Sequence, residues 1–303
     1  MMYKTMLHAV GNTPLVEVPF ESPAQLYAKL EYFNPSGSVK DRSALHMIEV
    51  AEQNGLLKPG GTIIDASSGN HGVSVAMIGQ IKGYKVIITV SEKISTEKLQ
   101  TIKAYGAQVI MCPSTTRIED PKSYHSQAVA LNKKTPNSFM PNQYFNIVNA
   151  HGHYNSLGPE IWQQTNGNIT HYFAGAGTGG TICGAGKYLK GKNPNIKVIA
   201  IDAANSLYST HGNPKPYKVE GIGIDFESEV LDHTVIDDII PVSDQQALPM
   251  LKTLAKNYGI LAGPSSGAVA YAVQQYASTL KTNDFAVMIF GDSGRAYLTK
   301  GYY

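Results

Sequence analysis

The sequence has little arginine, little cysteine and no long apolar run. Among its 303 residues, arginine occurs only at Arg42, Arg117 and Arg295, and the formal net charge is +2. Because there is no basic cluster, we expect no nucleic-acid partner and no attraction to a membrane surface. No apolar stretch approaches membrane-spanning length, and the N-terminal one is too short for a signal peptide. We therefore expect a cytoplasmic protein.

The two cysteines, Cys112 and Cys183, are too few for a disulfide scaffold and lack metal-ligand spacing. Each stands among apolar or small residues, so we expect both to be buried and reduced. His151 and His153 likewise show no spacing typical of a metal site, and we expect no metal. These shortages leave an ordinary cytoplasmic enzyme or small-molecule binding protein.

What the chain does have is a regular alternation of short apolar strands with helical segments. Strands are predicted at 15–18, 26–30, 62–66, 85–90, 108–111, 170–174, 197–201 and 285–290, and helices at 70–81, 95–105, 243–258 and from the glycine run to residue 189. This alternation favours right-handed crossovers, and 303 residues are enough for about two domains. The predicted fold is α/β, with two open, doubly wound, mostly parallel sheets.

Lys40 is the candidate reactive group. It follows a turn rich in Asn, Pro, Ser and Gly, with Ser38 as the predicted N-cap of a helix that Gly55 ends. A lysine in the first helical turn lies near the positive end of the helix dipole, which favours its neutral amine as nucleophile or base. The alternative is an ordinary solvated lysine beside Asp41 and Arg42.

Two loops between a strand and a helix are suited to anions. Residues 175–181 form a glycine-rich cradle for a phosphate, although Asp202 leaves a dinucleotide as a weaker alternative and a plain tight turn as another. Residues 67–72 offer hydroxyls and main-chain N–H groups sized for a carboxylate, or they form only a helix cap. A phosphate site, a carboxylate site and a nucleophilic lysine together indicate pyridoxal 5'-phosphate beside an amino-acid substrate.

Five motifs then occur in order along the chain: Gly11-Asn12-Thr13-Pro14-Leu15, residues 29–42 around Lys40, Gly177-Thr178-Gly179-Gly180-Thr181, Glu220-Gly221-Ile222-Gly223 and Ser265-Ser266-Gly267. With these motifs, essentially the whole chain resembles the cysteine synthase and cystathionine β-synthase family of pyridoxal-phosphate enzymes (fold type II). The resemblance implies a cofactor site between a smaller N-terminal domain, residues 1–11 and 35–144, and a larger one, residues 12–34 and 145–303. It also implies a homodimer with small-molecule amino-acid and thiol substrates.

The resemblance also implies a role for each site residue. Lys40 would form the Schiff base with the cofactor, Asn70 would contact its ring hydroxyl, and Ser293 would face its pyridine nitrogen unless the neighbouring Asp292 does so instead. The cofactor phosphate would be bound by Gly177, Thr178, Gly179, Gly180 and Thr181. The substrate would be bound by Ser67, Ser68, His71, Gln143, Gly221 and Gly223.

The implied reaction is β-replacement on O-acetylserine or serine by a thiol, through an aminoacrylate intermediate. Segments 219–226 and 292–300 look more like cystathionine β-synthases, which favours homocysteine as the thiol, with Asp225 as part of that likeness. The alternative is an O-acetylserine sulfhydrylase that uses sulfide. His71 stands where sulfhydrylases usually have threonine and resembles the dehydratase loop, so a serine or threonine dehydratase is a more remote possibility. A non-catalytic regulatory relative is the alternative from another class.

Overall fold

The computed structural model describes residues 2–115 and 117–303 of the chain. Ten strands lie in the described part: β1 (Leu15–Glu17), β2 (Gln25–Leu30), β3 (Thr62–Ala66), β4 (Lys85–Ser91), β5 (Gln108–Cys112), β6 (Ser138–Phe139), β7 (His171–Gly175), β8 (Lys197–Ala203), β9 (Asp238–Val242) and β10 (Phe285–Phe290). Nine α-helices accompany them there: α1 (Lys40–Gln53), α2 (Asn70–Ile81), α3 (Thr96–Ala104), α4 (Tyr124–Lys134), α5 (Val148–Asn155), α6 (Leu157–Gln164), α7 (Gly180–Lys192), α8 (Asp244–Tyr258) and α9 (Pro264–Tyr276).

The strands form two separate sheets. One has six strands in the order β1-β2-β10-β7-β8-β9, and the other has four in the order β5-β4-β3-β6. Every neighbouring pair is parallel except β1 and β2. The predicted α/β class with two mostly parallel sheets is confirmed. All strands of the smaller sheet lie within residues 35–144, and those of the larger sheet lie within 12–34 or 145–303.

Most predicted elements are present with ends within about two residues, and three predicted ranges, 62–66, 70–81 and 285–290, match β3, α2 and β10. Strands β6 and β9 and four helices were not predicted from the sequence: α4, α5, α6 and α9. Helix α9 shows why, because eight of its thirteen residues are buried and many are small. A helix surrounded by protein lacks the polar face that produces a visible period of 3.6 residues.

The start of α1 differs from the prediction. The N-cap is Val39, with helical backbone angles, and not Ser38. The Ser38 hydroxyl still accepts a hydrogen bond of 3.2 Å from the Lys40 main-chain N–H. Ser38 is displaced by one position because a turn already begins there, with Asp41 N–H donating to its carbonyl.

A buried ionic network fixes α1 against the larger sheet. The Arg42 guanidinium donates to Glu31 at 2.7 and 2.8 Å and to Glu160 at 2.9 Å, while Lys29 also contacts Glu160. Thr13 joins the network through its hydroxyl, which donates to Glu31 at 2.6 Å. Two of the five family motifs therefore meet in one cluster of paired charges, two residues along the chain from Lys40.

None of the helices in the described ranges combines the length and the apolar character needed to cross a bilayer. Cys112 and Cys183 are free and buried, as predicted.

Candidate active site

Most of the predicted site residues meet around a cleft between the two sheets. A cavity of 340 Å³ is lined by Lys40, by the loop that follows β3 and by glycine-rich loops of the larger sheet. A deeper cavity of 50 Å³ adjoins it, and both share Lys40, Asn70, Gly221 and Ile222 in their linings. The smaller sheet thus supplies the lysine and one anion loop, and the larger sheet supplies the other.

Lys40 is held where two distant parts of the chain meet. The main-chain N–H of Val39 donates to the Gly291 carbonyl at 2.8 Å, and Ser38 forms an antiparallel bridge with Asp292. Burial lowers the pKa of the Lys40 amine, and the Asp292 carboxylate opposes this shift. An amine with a lowered pKa has a larger neutral fraction at pH 7, as a nucleophile or base requires.

The glycine loop before α7 leaves no room for side chains. Gly179 caps the helix with φ +91°, and a Cβ on Gly180 would lie 2.2 Å from Asn149 Oδ1. A Cβ on Gly177 would lie 2.9 Å from the Gly221 carbonyl oxygen. Thr178 lines the larger cavity and Thr181 the deeper one. Small residues and the N-terminus of α7 together make a site for a phosphate.

The loop that follows β3 lies across the cleft and begins α2. Ser67, Ser68, Asn70, His71 and Gln143 all line the larger cavity. The first main-chain N–H groups of a helix have no partner within it, so the start of α2 can bind a carboxylate. Gly221 and Gly223 line the same cavity from the larger sheet.

Two of these polar side chains are already engaged. The Ser68 hydroxyl accepts a hydrogen bond of 2.6 Å from the Ser91 N–H. The His71 ring contacts Asp65 through Nδ1 at 2.9 Å, and both side chains are 1% exposed. His71 lines the larger cavity, while its Nε2 is buried without a partner in the described part of the chain.

Gly179 and Gly180 line neither cavity although they belong to the glycine loop, and the third predicted site residue outside the cavities is Ser293. It lines neither of the two cavities, and its hydroxyl accepts a hydrogen bond from the Arg295 N–H at the start of a short 3₁₀ helix, Gly294–Lys300. Asp292 and Ser265 line the deeper cavity in its place. In the structure the Ser293 hydroxyl caps this 3₁₀ helix and lines neither cavity, so its position does not support the expectation that it faces the pyridine nitrogen.

The structure also bears on the dinucleotide alternative, which needs an acidic residue free to bind a ribose hydroxyl. Asp202 is fully buried, and its Oδ2 accepts hydrogen bonds from the hydroxyls of Ser206 and Ser209. A carboxylate held inside its own loop is not available to a ribose hydroxyl.

The residues present fit pyridoxal 5'-phosphate. The amine with a lowered pKa can condense with an aldehyde, and the crowded glycine loop at a helix N-terminus suits a phosphate. The deeper cavity is also lined by three polar residues, Ser265, Asn70 and Asp292. Among the residues described, no group of three or more His, Cys, Asp or Glu side chains is arranged to hold a metal ion.

Comparison with known proteins identifies the family. Residues 6–292 match the model of the pyridoxal-phosphate dependent enzymes. The chain belongs to this family. It is 43% identical over 304 residues to the cystathionine β-synthase of Apis mellifera, covering 97% of this chain and 60% of that protein. It is 41% identical over 298 residues to the cysteine synthase of Staphylococcus aureus strain Mu50, covering 97% of this chain and 95% of that protein.

Solved structures of this family share the whole fold. The O-acetylserine dependent cystathionine β-synthase from Helicobacter pylori superposes with a TM-score of 0.93 at 35% identity, over 100% of this chain and 99% of that one. O-acetylserine sulfhydrylase isoform 3 from Entamoeba histolytica gives a TM-score of 0.92 at 34% identity, over 100% and 92% of the two chains. The expected fold type and the expected cofactor of the family are confirmed.

The chain spans about 60% of the length of the cystathionine β-synthases from Apis mellifera and Saccharomyces cerevisiae that it matches. It spans nearly the full length of the Staphylococcus aureus cysteine synthase.

Several residues that line the larger cavity were not predicted from the sequence. Tyr124, Tyr144, Tyr217, Lys98 and Tyr297 line the larger cavity. They come from separate elements without a shared motif, so nothing in their spacing pointed to them. Ser265 was detectable, since it opens one of the five family motifs, but it was given no role.

No functional role was predicted for His153. It is fully buried, and its Nε2 lies 3.4 Å from the Thr181 hydroxyl in the phosphate loop. Burial, with further contributions from Lys40 and Arg42, lowers the pKa of His153 well below its usual value. A neutral imidazole therefore stands behind the phosphate loop at physiological pH.

Proposed function

We propose that the chain catalyses β-replacement on O-acetylserine or serine by a thiol, with homocysteine ahead of sulfide. One observation carries the reaction type: a lysine amine, a helix N-terminus suited to a phosphate and another suited to a carboxylate line two adjoining cavities. Such a set serves an amino acid held beside a phosphorylated aldehyde cofactor.

The binding roles follow from the cleft. The N–H groups and hydroxyls of residues 177–181 would hold the cofactor phosphate, and the start of α2 with Gln143 would hold the substrate carboxylate. Asn70 would contact the ring hydroxyl of the cofactor. We assign the pyridine nitrogen to Ser265, since its side chain lines the deeper cavity that Ser293 does not reach. A neutral hydroxyl there does not force the ring nitrogen to be protonated.

Lys40 is proposed as the acid and base of the reaction. The bound cofactor supplies the capacity to accept the electron pair that is left when the substrate loses its α-proton. The Lys40 amine takes that proton, the β-substituent departs with the electrons of its carbon–oxygen bond, and the thiol releases its proton to solvent as its sulfur bonds to the β-carbon. Lys40 then returns a proton to the α-carbon.

The choice of homocysteine draws support from a second depression. A depression of 500 Å³ shares Tyr124 with the substrate cavity and is lined by Arg117, Glu119 and Asp225. Burial raises the pKa of Asp225, and the neighbouring Tyr217 hydroxyl opposes this shift. A guanidinium and a carboxylate on one depression suit the carboxylate and ammonium groups of a second amino acid. Sulfide has neither group and would gain nothing from them.

A competition assay tests the proposed function. Purified holoenzyme receives O-acetylserine with equal concentrations of homocysteine and sulfide, and the products are separated. We expect mostly cystathionine. Mostly cysteine would make the chain a sulfhydrylase, and pyruvate without either product would make it a dehydratase.

The Arg117→Gln variant sharpens this assay, with Arg295→Gln as the matched control on an exposed site. We expect R117Q to raise KM for homocysteine while KM for sulfide stays unchanged, and R295Q to alter neither. Equal effects of R117Q on both thiols would show that the depression does not select an amino acid.

We also propose that the chain forms a homodimer in the cytoplasm and that its two units have the boundaries 1–11 with 35–144 and 12–34 with 145–303. Sedimentation velocity on the holoenzyme measures the oligomeric state. Limited proteolysis that first cleaves inside either unit would contradict the boundaries.

A further inference from the structure

A continuous row of hydrogen bonds runs through the protein beside the cleft. Lys98 Nζ donates to Glu220 Oε2 at 2.7 Å and to the Tyr297 hydroxyl at 3.0 Å. The Tyr297 hydroxyl donates to Asp292 Oδ2, and Asn70 Nδ2 donates to the same oxygen at 2.7 Å. The row therefore connects Glu220 to Asn70 through three side chains.

These three side chains are deeply buried. Lys98 and Asp292 are each 3% exposed, and Tyr297 is not exposed at all. Lys98 Nζ also lies 4.3 Å from the centre of the Tyr297 ring. Buried ions are retained only when they are paired and hydrogen-bonded, so this geometry is well determined by its own contacts.

The row links elements of both sheets. Lys98 lies in α3 and Asn70 opens α2, both beside the smaller sheet, whereas Asp292 follows β10 and Tyr297 lies in the 3₁₀ helix. Asp292 is also bridged to Ser38, two residues before Lys40. Asp292 and Lys40 also line the same deeper cavity, and the Asp292 side chain is held next to Asn70.

The Asp292 carboxylate accepts hydrogen bonds and donates none. Its Oδ2 receives both donors, and its Oδ1 is buried without a partner in the part of the chain that is described. Since a carboxylate can only accept, it fixes the Asn70 amide with Nδ2 toward Asp292. Burial raises the pKa of Asp292, while Lys98, Tyr297 and Asn70 counteract that shift.

Several charged and titratable groups surround Asp292, and they come from different elements of the fold. Lys40 from α1 and Lys98 from α3 are the positive ones, with Lys300 3.4 Å from Glu220 beyond them. Glu220 is the other carboxylate, and Tyr297 and Tyr303 are the neighbouring phenols. Lys98 and Lys300 are both paired to Glu220, so among the described residues of this group Lys40 is the cation without a carboxylate pair of its own.

We propose that Asp292 is the counter-ion of Lys40 and a positioning residue for Asn70, and that Tyr297 and Lys98 hold its carboxylate in place. A negative charge on the small cavity that Lys40 also lines stabilises the protonated form of the Lys40 nitrogen when that nitrogen is bonded to the cofactor aldehyde. This inference requires the cofactor site but not a particular thiol.

The test is a pH titration of the visible absorbance of the bound cofactor, on holoenzyme without substrate. In Asp292→Asn we expect the midpoint for loss of the Lys40-nitrogen proton to fall by about one pH unit, a tenfold change in that equilibrium. In Tyr297→Phe we expect a smaller fall, because the carboxylate loses a donor and is protonated more easily. Ser293→Ala is the matched control, and its midpoint should equal that of the wild type.

An unchanged midpoint in both D292N and Y297F overturns the proposal, and so does a shift in S293A as large as that in D292N. If D292N does not fold or retain the cofactor, Y297F decides by the same criterion. Because no substrate is present, failure of the thiol assignment leaves this measurement unaffected.

Discussion

The Asn70 amide donates a hydrogen bond of 2.7 Å to the Asp292 carboxylate, across 222 residues of sequence. This contact joins the first residue of α2, beside the smaller sheet, to the end of β10 in the larger one. The group expected to contact the cofactor ring is thereby oriented from the opposite half of the molecule.

Replacing Lys40 with alanine should abolish turnover. The variant loses both the amine that bonds the cofactor and the acid-base group, and general acid-base catalysis alone contributes roughly 10²- to 10⁴-fold. The measurement is product formation from O-acetylserine and a thiol, together with the visible spectrum. Lys93→Ala, on an exposed turn, should keep the wild-type rate. Near-normal activity in K40A would remove Lys40 from the reaction.

Gly180→Ala should weaken cofactor binding on the order of tenfold, since overpacking a tight site typically costs about 1–3 kcal/mol. The added Cβ would lie 2.2 Å from Asn149 Oδ1, and Asn149 Nδ2 donates to Thr178 in the phosphate loop at 3.1 Å. The measurement is the Kd of the cofactor for the reconstituted protein.

Gly191→Ala is the control in the same helix, because nothing lies within 4 Å of its Cβ position. It should leave cofactor affinity unchanged and raise the free energy of unfolding by about 0.5–1 kcal/mol. Equal affinities for G180A and G191A would contradict the assignment of the phosphate loop.

Arg42→Met should lower the free energy of unfolding by about 3–5 kcal/mol, because it leaves the carboxylate of Glu31 buried without its main partner. Both side chains are nearly inaccessible, at 1% and 0% exposure. Lys82→Met breaks the pair with Glu52, where both side chains reach solvent, and should cost only about 0–1 kcal/mol. Urea unfolding of the two variants measures the difference, and similar losses would contradict the expected role of burial.

Stability should fall as the pH drops below about 6.5, partly because of His153. Its folded pKa lies well below the ordinary value of 6.5, so in that range the unfolded chain binds a proton that the folded protein does not. A depressed pKa of this kind lowers the free energy of unfolding by up to about 1.4 kcal/mol per pH unit. His153→Gln should flatten this part of the curve, whereas exposed His211→Asn should not. Unfolding at pH 7.5, 6.5 and 5.5 measures the slopes.

Local patterns in the sequence were sufficient for the elements with a visible period or cap. Ser95 caps α3 and Ser243 forms the predicted capping box of α8, because each satisfies an N–H only three residues away. Helix α9 and strand β9 depend on partners far along the chain and were not predicted.

The site residues also differ in whether a local pattern in the sequence predicts them. Lys40, Asn70 and Thr178 stand in contiguous motifs, and all three were identified and found at the cleft. Ser293 was misplaced because neighbouring residues at the end of a strand can point to opposite sides, and only the fold decides which one faces the cavity. His153 and Lys98 act through contacts across 28 and 122 residues of sequence, which spacing does not reveal.

The position of β10 has a consequence for synthesis of the protein. This strand lies between β2 and β7 in the larger sheet, yet it is the last strand along the described chain. On the ribosome, β2 lacks its parallel neighbour until residue 290 has emerged, and Lys40 lacks the support of Gly291 and Asp292 until two residues later. The contacts that hold Lys40 therefore cannot form on a nascent chain that stops before this strand, even when the smaller sheet is already complete.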